Sequence, residues 1–132
     1  MRYGAAFEKL GYRVSIPRQD WSAENDSGVC ITLWRSEVAW GSRPIGIDTR
    51  AHCSPLEDWR SKPGNQKRKQ HLKRAWTDFD GWVDVVIVDG TLGEGVDGAY
   101  PWLAQERQNC RWRVTSFDEQ TGHFSADVVS LR

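Results

Sequence analysis

Apolar positions along this chain follow two periods. Tyr3, Ala6, Phe7 and Leu10 recur at the spacing of one helix face and Gly11 follows them, which predicts a short amphipathic helix with a glycine stop. Residues 12–16 alternate like a strand and end at Pro17. Residues 28–34 read as a second strand, led in by the turn Asn25-Asp26-Ser27-Gly28. From 39 to 64 the periodicity lapses among prolines, glycines and two tryptophans, predicting a long irregular excursion of the kind that often carries function. Leu72, Ala75, Trp76 and Phe79 then form one narrow stripe, predicting a helix over 65–79 with Asn65 as its cap and Gly81 at its end. Residues 82–88 are apolar at nearly every position, a strand covered on both faces. Residues 90–98 read as a glycine-rich turn region. Residues 110–117 and 123–129 both alternate and are joined by 118–122, the clearest hairpin in the chain. The expectation is an α+β fold in a single domain over 1–132. It has a mixed or antiparallel sheet of about five strands, one short N-terminal helix and one longer basic helix.

Charge adds a segregation that the total conceals. The 132 residues hold 18 Lys+Arg and 18 Asp+Glu, a formal charge of zero. Yet residues 60–74 carry seven basic side chains (Arg60, Lys62, Lys67, Arg68, Lys69, Lys73 and Arg74), His71 and no acid. The other 117 residues therefore hold 11 basic and 18 acidic groups, a net of −7. A one-signed helix face creates a local positive field and suits a polyanion, because phosphates reward clustered Lys and Arg through counterion release. Arg107, Arg111 and Arg113 form a smaller basic set; Arg111 and Arg113 share one strand face and Trp112 takes the other. That pair suits outward-facing strand residues and DNA contacts equally.

Eight tryptophans are the other unusual quantity. Trp76 and Trp82 fit the helix stripe and the covered strand, so both are expected in the core. Trp21, Trp40, Trp59 and Trp102 lie in turn- or loop-like sequence, and Trp34 ends a strand. An unstacked nucleobase needs an aromatic face and a polar rim, and indoles beside a basic helix supply both.

Enzymatic patterns are missing. His52, His71 and His123 are isolated, and neither zinc-binding His/Glu nor paired-cysteine motifs occur. His52-Cys53 has no second pair to complete a tetrahedral metal site. Gly93-Glu94-Gly95 is too short for a phosphate loop. Asp84, Asp89, Glu94 and Asp97 invite comparison with a metal-dependent nuclease, but no lysine follows Lys73 to complete such a strand. Cys30, Cys53 and Cys110 cannot pair evenly, and Cys30 and Cys110 suit buried free thiols. No apolar run approaches the roughly 20 residues of a membrane helix. Glu8 interrupts the place of a secretory signal, so a cytoplasmic, non-enzymatic protein without cofactor or metal is expected.

One resemblance joins these features. Arg18-Gln19-Asp20-Trp21-Ser22-Ala23, then Asp26-Ser27-Gly28, then 29–33 ending in Trp34-Arg35-Ser36-Glu37, resembles the N-terminal reading domain of McrA-type, modification-dependent HNH restriction endonucleases and related stand-alone 5-methylcytosine-binding proteins. The likeness spans about 7–90 and rests mainly on Trp21, Gly28, Trp34, Glu37 and Leu72. It implies a bacterial-type reader of double-stranded DNA bearing modified cytosine, with the base flipped into an aromatic pocket. Trp34 is then the pocket aromatic and Trp21 its neighbour. Arg68 stands where the family tends to have Tyr, one helical turn before Leu72. No HNH half is expected, so the protein reads and does not cut. The combined expectation places Trp21, Trp34, Arg68 and Trp112 at the base. It places Arg60, Lys62, Lys67, Lys69, Lys73, Arg74, Arg107 and Arg111 along the DNA backbone. A small metal-dependent nuclease and a protein-interaction module docking its basic helix on an acidic partner are the alternatives.

Overall fold

The computed structural model describes residues 1–17, 19–52, 56–91 and 95–131. In chain order the elements are α1 (Tyr3–Lys9), β1 (Ser22–Asn25), β2 (Gly28–Trp34), β3 (Gly46–Asp48), α2 (Thr49–His52), α3 (Leu56–Trp59), α4 (Pro63–Asp78), β4 (Trp82–Thr91), β5 (Gly95–Pro101), β6 (Cys110–Phe117) and β7 (Phe124–Ser130). Single 3₁₀ turns follow β2 and β5. The sheet runs β1-β2-β4-β6-β7-β3, with β5 also on β4. Parallel pairing joins β2 to β4, and the other neighbours are antiparallel. The fold is thus α+β with a mixed sheet. Among the described residues it has seven strands and four α-helices, where about five strands and two helices were expected.

Strand β4 is the spine because nearly every residue of its first seven is apolar, so both faces demand cover. Val83, Val85 and Ile87 meet Val29, Ile31, Leu33, Leu72 and Ala75 on the face carrying α4. Val86 and Val88 meet Phe7, Tyr12, Cys30 and Ala99 on the face carrying α1. Two apolar clusters therefore flank one sheet. The free edge of β4 forks: Trp82 and Val83 pair with β6, whereas 86–91 pair with β5. Trp102 fills the fork, its N–H donating to Val85 O at 2.9 Å.

Differences from expectation have local causes. Residues 12–16 form no strand. Tyr12 and Val14 alternate inward because an irregular segment lies across the α1 cluster, where the Tyr12 hydroxyl donates to Asp84 Oδ2 at 2.7 Å. Strands β1, β3 and β5 are short or glycine-containing, and partners supply what intrinsic preference does not. Helix α4 starts at Pro63, a residue already set for a first helical turn, rather than after a cap at Asn65. Asn65 is instead buried, its amide donating to Arg60 O and Thr121 O and so tying the β6–β7 turn to the helix start. Gly81 does end the helix, at φ +85°, its N–H donating to Ala75 O. Trp76 lies 46 % exposed on α4, and Trp82 lies half-buried beneath the guanidiniums of Arg111 and Arg113; neither is in the core. The β6–β7 hairpin forms as expected. Cys30 and Cys110 are free thiols, and Cys53, Gly93, Glu94 and Arg18 lie outside the described residues.

Candidate functional site

A cavity of about 350 Å³ opens where β2 ends, at the lower limit of ordinary small-ligand pockets. Its walls come from every part of the chain. The segment before β1 brings Asp20 and Trp21, the end of β2 brings Thr32, Leu33 and Trp34, and α3 brings Trp59. Lys62 just before α4 and Arg68 within it contribute, β7 contributes Phe124, and Val88 and Val96 close the side toward the β4–β5 hairpin.

The aromatic part is built around one cation. The Arg68 guanidinium lies 4.8 Å from the Trp21 ring centroid, 5.1 Å from Phe124 and 5.6 Å from Trp59. Trp21 and Trp59 lean together at 6.5 Å, and Trp59 meets His123 edge-on at 5.1 Å. Stacking of this kind holds a planar guanidinium in place while leaving its charge intact. Trp21 itself is set by close approach of the helix. A Cβ on Gly64 would fall 2.5 Å from Gln19 O and from the Trp21 indole nitrogen.

Asp20, Glu37 and Asp58 are acidic residues of the lining, and Asp20 is the buried one of the three, its side chain only 1 % exposed. Its Oδ2 accepts from Lys67 Nζ at 2.9 Å and from the Ile16 N–H at 3.0 Å. Its backbone carbonyl accepts from the Tyr3 hydroxyl at 2.6 Å, and burial pushes that phenol well above its ordinary pKa. Asp20 Oδ1 is buried and has no hydrogen-bond partner among the described residues. An acceptor left in that state costs about 1–3 kcal/mol, so it calls for an explanation.

Trp21, Trp34 and Arg68, separated by as many as 47 positions, are thus brought to one cavity. Trp112 is not. It is fully buried, edge-on to Trp102 at 5.6 Å, because its neighbours Arg111 and Arg113 take the outer face of β6 and turn it inward. Trp59 and Asp20 belong to the site, although neither was singled out as a pocket residue. An aspartate directly before Trp21 and a tryptophan directly after the acidic pair Glu57-Asp58 were the available signals.

The basic helix differs most from its sequence. Lys67 pairs with Asp20, Lys73 with Glu119 at 3.2 Å, and Arg74 with Glu24 at 3.2 Å and Asp78 at 3.9 Å. Acids on β1, the β6–β7 turn and the helix end thereby neutralise much of the segregated charge. Arg60, Lys62 and Lys69 carry no ion pair among the described residues, and Lys62 stands at the cavity. Lys69 reaches Gln120 O at 3.4 Å. Arg107 lies over the Trp102 ring, and Arg111 faces Asp84 at 3.4 Å. Those two sit with the second tryptophan group and the β6 face, apart from the cavity lining. Asp89 pairs with Arg35 at 2.8 Å. No cluster of three metal-ligating side chains occurs among the described residues, and no helix is long and apolar enough to cross a membrane.

Comparison with known proteins finds no matching family model, no matching curated protein and no matching solved structure.

Proposed function

We propose that this chain is a reader of modified double-stranded DNA, related to the McrA-type reading domains, which takes a 5-methylcytosine-type base out of the duplex into the cavity between Trp21, Trp34 and Trp59. One observation carries the reading. Trp21, Trp34 and Arg68, three of the four side chains expected at the base, line the same aromatic cavity, and Trp112 does not. Turning a base out costs a few kcal/mol of stacking and pairing, which indole faces and phosphate contacts must offset. Arg60, Lys62 and Lys69, which carry no ion pair among the described residues, fall just before and within α4, with Lys62 beside the opening, where the phosphates flanking an everted nucleotide would pass. Lys67, Lys73 and Arg74 serve instead to fasten α4 to its neighbours. A C5 methyl adds only about 0.8 kcal/mol of transfer energy, so preference for the modified base depends on a close wall around it. A cytoplasmic location and the absence of cofactor and of cutting activity belong to the same reading.

A gel-shift series tests it, using otherwise identical duplexes with cytosine, 5-methylcytosine and 5-hydroxymethylcytosine at two ionic strengths. The expected result is tighter binding to a modified duplex and a steep loss of affinity with salt. Equal binding to all three would reduce the protein to a general DNA binder, and no binding would end the proposal.

A further inference from the structure

We infer that Asp20 is the specificity residue of the cavity, and that its Oδ1 accepts a hydrogen bond from the exocyclic amino group of a 4-aminopyrimidine, so that cytosine-type bases enter and thymine-type bases do not. The inference rests on the base-reading role proposed above and names the edge of the base that is read.

One buried oxygen of the lining is satisfied by nothing among the described residues. Asp20 lines the cavity, its side chain is 1 % exposed, and Oδ2 is already held by Lys67 and by the Ile16 N–H. Those bonds fix the carboxylate plane, and the Tyr3 hydroxyl on the Asp20 carbonyl fixes the backbone beneath it. Oδ1 is left buried without a donor. Buried polar groups are almost always paired, and an orphan on a residue that lines a cavity can be met by a donor entering that cavity. The partner must bring a donor, since a carboxylate beside Lys67 accepts only.

The opposite chemistry lines the same cavity. Arg68 is held among Trp21, Trp59 and Phe124, and a guanidinium donates only. An acceptor and a donor set between aromatic faces suit a flat ring whose edge carries an amino group next to acceptors. Cytosine has that edge: an amino donor at C4, then acceptors at N3 and O2. Thymine reverses the first two, with a carbonyl at C4 and N–H at N3, so Oδ1 would meet an oxygen. Sites built to hydrogen-bond a group reject analogues lacking it far more strongly than apolar pockets reject a missing methyl. The amino edge, rather than the C5 methyl, is therefore the larger source of selection.

A two-by-two set of duplexes separates the two readings. One position opposite guanine carries cytosine, 5-methylcytosine, uracil or thymine, and dissociation constants are measured for the wild-type chain and Asp20→Asn. The ratio of amino to keto bases reports Asp20; the ratio of methylated to unmethylated bases reports modification reading. Wild type should favour the amino member of each pair by about tenfold or more, although the mismatched keto bases are easier to turn out. Asp20→Asn, whose amide both donates and accepts, should bring that ratio to within about threefold while the methyl ratio stays as in wild type. Wild-type binding of uracil and thymine as tightly as cytosine and 5-methylcytosine would overturn the inference even if the variant fails to fold. So would an unchanged amino preference in a folded Asp20→Asn. A methyl ratio of one with the amino ratio intact would instead retire modification reading and keep Asp20 in its role. Failure to bind any of the four duplexes would remove both.

Discussion

Two groups of indoles sit in this molecule, and their surroundings differ more than their chemistry. Trp40, Trp102 and Trp112 form a packed stack in which Trp40 is half-buried: Trp40 lies nearly parallel to Trp102 at 6.5 Å, and Trp102 meets Trp112 edge-on at 5.6 Å. The Trp102 indole N–H donates to Cys110 O at 2.9 Å, and the group fills the fork beside β4. Trp21, Trp34 and Trp59 instead surround space, with Arg68, Asp20 and Lys62 on the same lining. Closed indoles contribute area and shape to the core. The half-buried rings of Trp21 and Trp34 retain unspent contact surface beside fixed charges, which is what a ligand requires, whereas Trp59 is as buried as Trp102. The contrast teaches that tryptophan abundance is not itself a functional signal; the company each ring keeps decides its role.

The sharpest way to break the comparison is to exchange the outcomes of two truncations. Trp112→Ala should destabilise the fold by about 3–5 kcal/mol, the usual cost of emptying a large core site, measured as the free energy of urea unfolding. Loss of DNA binding there should merely track the unfolded fraction. Trp34→Ala should cost about 1–3 kcal/mol of binding to a modified duplex, the range for one base–aromatic stack, with its unfolding midpoint much closer to wild type. If Trp34→Ala unfolds the protein as Trp112→Ala does, the two groups are one core and the cavity is incidental.

Smaller effects sharpen the charged side of the contrast. Replacing Arg60 and Lys62 together by Gln should lower the slope of log affinity against log salt by about two, roughly 0.9 for each phosphate contact. Replacing Lys73, already paired with Glu119, should change it less. Equal slopes for both variants would mean that the start of α4 does not face the phosphates.

The smallest expected effect is on stability against pH. His71 is buried, its Nδ1 bonded to Ser22 Oγ at 2.6 Å, and burial holds its pKa below the ordinary value. His123 shifts the same way, by burial and then by Arg50. The unfolded chain therefore takes up protons near pH 6.5 that the folded chain refuses. Stability should be full above that point and decline as pH falls below it. Urea midpoints between pH 7 and 5 should decline less steeply for His71→Asn. The Asp118 carboxyl, held low by the backbone N–H of Gln120, acts in a separate and more acidic window.

Much of the frame was legible because it depends on local periodicity. The stripe through Leu72 and Ala75, the doubly covered run of β4 and the alternation of β6 and β7 each carry their own signal. Residues 12–16 misled because inward alternation arises wherever a chain crosses an apolar surface, with or without a strand partner. Trp76 was placed on the buried stripe, yet α4 buries a face too narrow to include it. The basic helix was legible as sequence and altered by folding. Asp20, Glu24 and Glu119 are 47, 50 and 46 positions from the cations they meet, a separation that composition windows do not see. At the site, Trp21, Trp34 and Arg68 were found through a pattern of residues, whereas Asp20 emerged only from the tally of satisfied and unsatisfied oxygens.

The forked edge of β4 has an architectural consequence. One end of the strand is committed to β6 and the main interior, the other to β5 and the rim where Gly95 and Val96 stand. A single ribbon thus divides its labour, so that lengthening or rewriting the β5 arm would reshape the entrance while the far end keeps its register. Changes on that arm are a matter of trim rather than of foundation.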